Sequence, residues 1–146
     1  MLRTAAALAA LALLASCSKP DTTPYNVNVP LKEIMGHVID PAAFMIWHAS
    51  GWEITEAGER DLSPTTAEGW ATVENGATIL AESGNLLMLP DRALDDKEWM
   101  QFAARLTKEA MAAKAAAEAK DKQGLFDTGA RIYQVCTDCH QKYVAK

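Results

Sequence analysis

The sequence has little cysteine, little excess positive charge and no long apolar stretch. Three cysteines among 146 residues exclude a small scaffold held together by many disulfides. Lys and Arg number 14 against 19 Asp and Glu, so the formal net charge of −5 leaves no broad basic surface for nucleic acid. No apolar stretch reaches the ~18 residues that indicate a membrane-spanning helix. The whole chain is 49% hydrophobic and 23% charged, which is typical of a globular protein, and its length suits a single domain.

The N-terminus has the features of a bacterial lipoprotein signal. Arg3 supplies a positive start, and residues 5–15 form an apolar stretch too short to cross a bilayer. Leu14 to Cys17 (Leu-Ala-Ser-Cys) resembles the lipobox, in which the cysteine becomes the lipidated first residue after cleavage. We therefore predict a signal peptide at residues 1–16, with a plain secretory signal as the alternative.

A flexible tether is predicted to follow the lipidated cysteine. Residues 17–30 contain three prolines among polar residues, a composition that favours an extended chain. Each CH₂ of the acyl chains on Cys17 contributes roughly 0.8 kcal/mol to membrane anchoring. Ser18, where some lipoproteins have Asp, resembles lipoproteins sorted to the outer membrane. We expect export by the Sec-type pathway to the bacterial periplasm and a lipid anchor, with the outer membrane favoured.

The apolar spacing from residue 31 onward is that of helices, and no stretch shows a sustained strand alternation. The apolar stripe of the first predicted helix consists of Leu31, Met35, Val38, Ala42, Met45 and Ala49. Because Pro41 lacks a backbone N–H, we expect this helix to kink or restart at Asp40-Pro41. Residues 50–62 are polar and are predicted to form a loop.

The second predicted helix begins at Ser63-Pro64 and ends before Pro90. Its apolar stripe consists of Trp70, Val73, Ala77, Leu80, Gly84 and Leu87. Three glycines in this stretch weaken a helix by roughly 1 kcal/mol each relative to alanine. We expect them to allow close contact with neighbouring helices.

Two further helices complete the predicted fold. Asp95 caps the third, with Glu98 as the partner in a capping box, and Gly124 marks the turn into the fourth. The third stripe consists of Trp99, Phe102, Leu106, Ala110, Ala113 and Ala117. The fourth consists of Leu125, Gly129, Ile132, Cys136, Cys139 and Tyr143. Four helices with mostly short connections predict an all-α, up-down-up-down four-helix bundle over residues 31–146.

The segment Cys-Thr-Asp-Cys-His at residues 136–140 is the CxxCH signature of c-type haem attachment. Cysteines three residues apart on a helix lie on the same side, so Cys136 and Cys139 can form thioethers with the two haem vinyl groups. The adjacent His140 can then bind the iron as the proximal ligand. Export supports this interpretation, because bacteria attach c-type haem outside the cytoplasm.

Three other uses of the motif are less well supported. A structural zinc site needs four ligands, and only His37 and His48 are available beyond the motif and Cys17. A thioredoxin-like pair needs a βαβ unit with the cysteines opening a helix. A plain disulfide is the third alternative. We predict one covalent haem c, and no enzyme, because no acid–base or nucleophilic arrangement is evident in the sequence.

A helical bundle with CxxCH at its C-terminal end resembles the class II c-type cytochromes, the cytochrome c-prime family and its low-spin relatives. The resemblance covers residues 31–146. Val135 to Tyr143 (Val-Cys-Thr-Asp-Cys-His-Gln-Lys-Tyr) matches the family's ending. The family often has a basic residue where Val144 stands, and an Arg in the first helix, where Lys32 is the nearest substitute.

The position of the motif constrains the sixth ligand of the iron. No Met or His follows His140, so that ligand must come from earlier in the chain. In an antiparallel bundle the end of the fourth helix lies level with the start of the first, the end of the second and the start of the third. The expected haem neighbours are Leu31, Ile34, Met35, Val38, Leu86, Leu87, Met88, Trp99, Met100 and Phe102. Met45 lies about 15 Å further along the helix than Met35 and is too distant, as are His48 and Met111.

Met35 is the leading candidate for the sixth ligand, with Met88 and Met100 as alternatives. The resemblance implies the same choice, because low-spin members use a Met in the first part of the first helix. High-spin members leave the position open beneath an apolar side chain. His37 lies off the apolar stripe, and Arg92 is expected either to pair with a haem propionate or to be solvated.

The resulting functional prediction is electron transfer through one haem to and from redox partner proteins. The alternative is a five-coordinate haem protein that binds NO or CO. Dimerisation is common in the family, so a homodimer is an expected assembly.

Overall fold

The computed structural model describes residues 25–144, which are mostly helical with one small antiparallel hairpin. The first helical region comprises α1 (Leu31–Ile34), a π-helical segment (Met35–Ile39) and α2 (Asp40–Trp47). The strands β1 (Trp52–Thr55) and β2 (Gly58–Asp61) follow. The long helices are α3 (Ala67–Leu87), α4 (Glu98–Glu118) and α5 (Lys122–Tyr143). In residues 25–144 we find no helix with both the length and the apolar character of a membrane span.

The predictions for the extreme N-terminus fall outside this part of the chain. The signal peptide at 1–16 and the lipidation site Cys17 lie outside the described residues, as does most of the tether at 17–30. Residues 25–30 precede α1 without helix or strand.

As predicted, an α-helix restarts at Asp40-Pro41, and it does so after a turn that is wider than an α-helical one. The Asp40 N–H donates to the carbonyl of Met35, five residues back. In a regular α-helix the proline ring would clash with the carbonyl of His37, and an extra residue in the turn relieves this clash. The predicted stripe is confirmed in part: Ala42 is buried, and its other residues are only partly buried. The buried residues are Ile34, Ile39, Ala42, Ala43 and Ile46.

The loop predicted for residues 50–62 was partly wrong, because it contains a hairpin. β1 pairs antiparallel with β2, with Trp52 opposite Asp61 and Thr55 opposite Gly58. All residues of both strands are exposed, and β2 contains no hydrophobic residue, so no sustained alternation marks the hairpin in the sequence. Gly58 has a φ of 126°, a conformation that residues with a side chain rarely adopt.

The start of α3 was also predicted too early. α3 begins at Ala67, and the Thr66 hydroxyl accepts from the N–H of Gly69 at 3.1 Å. The N–H of Ser63 instead donates to a hairpin carboxylate, that of Asp61, at 2.8 Å. The predicted apolar stripe of α3 is confirmed, because each of its six residues, from Trp70 to Leu87, is buried.

Glycine brings α3 close to its two neighbours. A Cβ at Gly76 would lie 2.6 Å from the Cβ of Met45 in α2, and one at Gly84 would lie 2.7 Å from the carbonyl of Ala103 in α4. Real Cβ atoms essentially never come this close, so a side chain at either position would push the helices apart. The expected role of these two glycines is confirmed.

Neighbouring helices run in opposite directions. In the α3–α4 pair, Trp99 contacts the carbonyl of Leu87 while Thr107 bonds the carbonyl of Ala81. In the α4–α5 pair, Arg105 contacts Asp138 at 3.4 Å near the C-terminal end of α5. Glu109, later in α4, pairs with Arg131, earlier in α5. α2 contacts α5 where Trp47 donates from Nε1 to the carbonyl of Gly129 at 3.0 Å. The end of α5 therefore lies beside the starts of the first helical region and of α4.

The N-cap of α4 is Lys97 and not Asp95 as predicted, but the Asp95 carboxylate still accepts hydrogen bonds at the start of the helix. One Asp95 carboxylate oxygen accepts from the N–H of Trp99 at 2.9 Å and from that of Lys97 at 3.0 Å. The predicted capping box is not formed in the expected way, because Glu98 pairs with Lys142 of α5. The ion pair holds the start of α4 against the end of α5.

Candidate functional site

An apolar cavity lies between the end of α5, the first helical region, the end of α3 and the start of α4. α5 contributes Val135, Cys136, Cys139 and His140 to its wall. The first helical region contributes Met35, Ile39 and Asp40. Leu87 of α3 and four residues of α4 (Trp99, Phe102, Ala103 and Leu106) complete it. The cavity therefore brings both cysteines and the histidine of the CxxCH motif to one apolar surface.

The predicted neighbours of the motif are only partly confirmed. Met35, Leu87, Trp99 and Phe102 line the cavity as expected. The other predicted neighbours do not line it: Leu31, Ile34, Val38, Leu86, Met88 and Met100. Sequence reasoning missed Ile39, Asp40, Ala103, Leu106 and Val135. Ile39 ends the π-helical segment and Asp40 follows it. Ala103 and Leu106 lie further along α4, and their helical spacing from Trp99 and Phe102 could have predicted that they line the cavity.

Both motif cysteines are half-buried free thiols. Burial raises the pKa of Cys136 to about 11, and the nearby carboxylate of Asp40 adds to this shift. Burial also raises the pKa of Cys139. At neutral pH both thiols are therefore protonated.

His140 lies where the cavity meets a surface groove between α2 and α5. The residue is exposed, and it lines both the cavity and the groove together with Asp40 and Cys136. Trp47 and Tyr133 form the next part of the groove, with their ring centres 5.9 Å apart. The imidazole thus has access to the apolar interior and to solvent.

Met35 is the only methionine of residues 25–144 that lines the cavity. Met88 and Met100 are half-buried against the core but do not line it. Met45 packs against Gly76 of α3 and does not line the cavity, in agreement with the prediction that it lies too far from the motif. The structure therefore brings one thioether, that of Met35, to the same cavity as the CxxCH motif.

The two remaining histidines lie outside the cavity wall. His37 is exposed and its Nε2 is 3.1 Å from a carboxylate oxygen of Glu33. His48 is exposed beside the ring of Phe44. In the described residues no group of three or more His, Cys, Asp or Glu side chains is arranged to hold a metal ion.

Arg92, in the loop between α3 and α4, is buried with almost no compensation. Arg92 is only 8% exposed, so the alternative of a solvated arginine was wrong. One guanidinium nitrogen lies 3.5 Å from the carbonyl of Leu86, and the buried Nε has no hydrogen-bond partner. A buried, unpaired cation is costly unless an anion accompanies it. The group therefore offers an unused donor to a carboxylate at this end of the molecule.

Aromatic and polar contacts connect this loop to the end of α5. Trp99 donates from Nε1 to the carbonyl of Leu87 at 2.7 Å, and both groups are buried. The Tyr143 hydroxyl donates to the Asp95 carboxylate, and the Tyr143 ring packs edge-on against Trp99. Burial and this hydrogen bond raise the pKa of Tyr143 to about 12. The contacts hold three sides of the cavity in a defined arrangement.

The donor set and the lining suit a covalently attached haem. Two thiols and an imidazole meet one apolar wall. Arg92, whose buried Nε has no hydrogen-bond partner, lies in the loop between α3 and α4 and does not line this cavity. The cavity itself measures about 40 Å³, which is too small for a macrocycle. A planar macrocycle between the helices therefore requires the surrounding side chains to move apart.

Comparison of the chain with protein-family models, curated proteins and solved structures gave no match.

Proposed function

We propose that the protein is a c-type cytochrome that transfers electrons through one covalent haem. The observation that carries this proposal is the meeting of Cys136, Cys139, His140 and Met35 on one apolar cavity. Thiols and imidazole at CxxCH spacing are the groups that attach and ligate c-type haem. A thioether from a different helix on the same cavity completes a His/Met ligand pair.

The directions of the helices support this proposal in addition to their number. The antiparallel contacts of α3 with α4, α4 with α5, and α2 with α5 favour an up-down-up-down four-helix bundle. In such a bundle the first helical region counts as one helix. The C-terminal position of the motif is then the one that resembles class II c-type cytochromes.

Each residue of the site has a distinct role in this proposal. Haem, when bound, supplies one-electron transfer. Cys136 and Cys139 would hold the haem through thioethers, each S–H adding across one vinyl group, so that attachment would need no oxidant. His140 would bind the iron through an imidazole nitrogen and Met35 through its sulfur, and that ligand pair would raise the reduction potential relative to an open position.

The remaining lining has an excluding and a charge-balancing role. Leu87, Phe102 and Leu106 keep water from the apolar face of the site. Arg92 provides the buried cation for a propionate carboxylate. The Trp99 hydrogen bond to the carbonyl of Leu87 keeps the loop that carries Arg92 in place.

The cellular setting proposed for this cytochrome is the periplasmic side of a bacterial membrane. Lipidated Cys17 anchors the domain, preferentially at the outer membrane, through the tether at residues 17–30. Redox proteins are the proposed partners, and association into a homodimer is part of the proposal because the family commonly dimerises.

The test is to produce the protein in a strain that attaches haem c and to assay the denatured chain as its pyridine haemochrome. We expect one covalent haem per chain, and none in the double variant Cys136→Ala, Cys139→Ala. Cys17→Ala is the matched control: it removes a cysteine far from the motif in sequence, so haem content stays normal while the protein leaves the membrane fraction. Haem retained in the double variant, or absent from the unaltered protein, would contradict the proposal.

A second candidate function uses the same haem with an open sixth position that binds NO or CO. The apolar lining favours it, because Ile39, Phe102 and Leu106 offer no competing ligand to the iron. The ferric spectrum of the unaltered holoprotein separates the two functions. A six-coordinate, low-spin spectrum supports electron transfer, and a five-coordinate, high-spin spectrum supports gas binding.

A further inference from the structure

The π-helical segment changes which side chain of the first helical region faces α5. The Asp40 N–H bonds the carbonyl of Met35, whereas a regular α-helix would use the carbonyl of Gly36. One extra residue is therefore contained within the turn. Counted back from Asp40, Met35 occupies the position that Gly36 would have in an uninterrupted α-helix.

This register places Met35 on the side of the helix that carries Asp40 and Trp47. Met35 and Asp40 line the cavity beside Cys136, and Trp47 bonds α5 through the carbonyl of Gly129. One position earlier, Ile34 is 6% exposed and belongs to the core, but it does not line the cavity.

Removing the extra residue would turn the start of the helix away from the site. One residue corresponds to a rotation of about 100° at 3.6 residues per turn. Met35 would then take the core position that Ile34 holds, and Gly36, which has no side chain, would face α5. The α-helical register therefore presents no ligand to the cavity from this helix.

Pro41 is the residue that favours the wider turn. Its nitrogen has no hydrogen, and in a regular α-helix its ring would meet the carbonyl of His37. π-helical turns occur mostly as single insertions within α-helices and are frequent at functional sites. The segment ends at Ile39, directly before the Asp40-Pro41 pair that opens α2.

We propose that Pro41 is a positioning residue: by sustaining the π-helical segment it directs Met35 toward the iron held by His140. The inference rests on the proposed function, because it assigns a role relative to the haem of that site. Pro41 itself is exposed and does not line the cavity, so it acts only through the helical register.

The test compares the ferric and ferrous spectra of the holoprotein variants Pro41→Ala and Pro30→Ala. Pro41→Ala should lose the absorption band of the methionine–iron bond, become high-spin and bind CO in the ferrous form, as Met35→Leu should. Pro30→Ala makes the same change at the N-cap of α1, outside the π-helical segment, and should keep the spectrum of the unaltered protein.

A rescue variant separates helical register from general damage. Deleting Gly36 in the Pro41→Ala background removes the extra residue, so a regular α-helix returns Met35 and Ile34 to their present sides. We expect this variant to regain the methionine–iron band. A merely structural role of Pro41 would not be repaired by a second change in the same helix.

Haem content measured as pyridine haemochrome distinguishes the two levels of failure. If the unaltered protein carries no covalent haem, the proposed function fails together with this inference. If it carries haem and Pro41→Ala keeps the methionine–iron band, or the Gly36 deletion does not restore it, only the role of Pro41 is overturned. A five-coordinate unaltered protein also overturns that role while leaving covalent attachment intact.

Discussion

Polar groups are buried at one end of the helical domain and exposed at the other. At the cavity end the Arg92 guanidinium and the Trp99 indole N–H are buried, and one of their donors has no partner. At the hairpin end the strands are exposed, and Ile54 is 81% exposed beside charged neighbours. Buried polar groups are costly unless they are paired. The comparison therefore separates an end with a buried, incompletely paired polar group from an end whose strands are solvated surface.

The largest expected effect of a single substitution is the loss of the proposed sixth ligand in Met35→Leu. The two side chains have similar volumes, so the packing cost should stay below about 1.5 kcal/mol, while the sulfur is removed completely. The ferric holoprotein should become high-spin and its reduction potential should fall. Met111→Leu, at an exposed position on α4, is the control and should change neither quantity. An unaltered six-coordinate spectrum in Met35→Leu would transfer ligation to Met88 or Met100.

The tryptophans of the two ends offer a matched pair of substitutions. Trp99→Phe leaves the buried carbonyl of Leu87 without its donor, which should cost about 1–3 kcal/mol of unfolding free energy. Trp52→Phe, in the exposed hairpin, should cost much less, since Trp52 is 52% exposed. Urea titrations of both holoproteins measure the difference. Equal losses would show that the two ends are equally well packed.

The arginines provide a test of the proposed charge balance. Arg92→Met removes the buried cation at the cavity end, so the reduction potential should fall because the ferric haem is no longer disfavoured by it. Arg60→Met breaks the exposed hairpin pair with Glu53 and should leave the potential unchanged. Potentiometric titration distinguishes the two. An unchanged potential in Arg92→Met would mean that Arg92 only caps the end of α3 through the carbonyl of Leu86.

The smallest expected effect is a pH-dependent contribution of the pair Asp61–Lys122, which joins β2 to α5. The hydrogen bond from Lys122 holds the pKa of Asp61 well below its ordinary 3.8. A lowered carboxyl pKa contributes stability above the ordinary value, and this contribution is lost as the pH falls through the folded-state pKa. Asp61→Asn should therefore melt slightly below the unaltered protein at pH 7. The difference in midpoint should shrink as the pH falls below 3.8, and a difference that stays constant would show that the carboxylate charge plays no part.

The contrast between α3 and the first helical region shows how far the apolar spacing alone is predictive. In α3 every residue of the predicted stripe is buried, because nothing interrupts the regular 3.6-residue period. In the first helical region the same reasoning placed Leu31 and Val38 in the core, but both are only half-buried. Ile34 and Ile39 are buried instead. They are five residues apart, the spacing of the π-helical segment, whereas the prediction used regular α-helical spacing.

The hairpin was missed because its strands bury no face. An alternation is present only in Trp52-Glu53-Ile54, and β2 contains no hydrophobic residue at all. Gly58 was the available signal, since a glycine three residues after Thr55 permits the positive φ at the start of the return strand. The polar composition around it favoured a loop, and pairing between exposed backbones leaves no hydrophobic pattern.

The sequence by itself determined the helical class, the stripe of α3 and the chemistry-bearing residues Cys136, Cys139 and His140. Their residue types and spacing are fixed along one helix, so no knowledge of distant contacts is needed. Only the tertiary structure decided that Arg92 is buried and that Met35 shares a cavity with the motif while Met88 and Met100 do not. Burial and the direction of a side chain depend on helical register and on packing between elements distant in sequence. A single extra residue in one turn rotates a helix by about 100°, and apolar spacing alone did not reveal it.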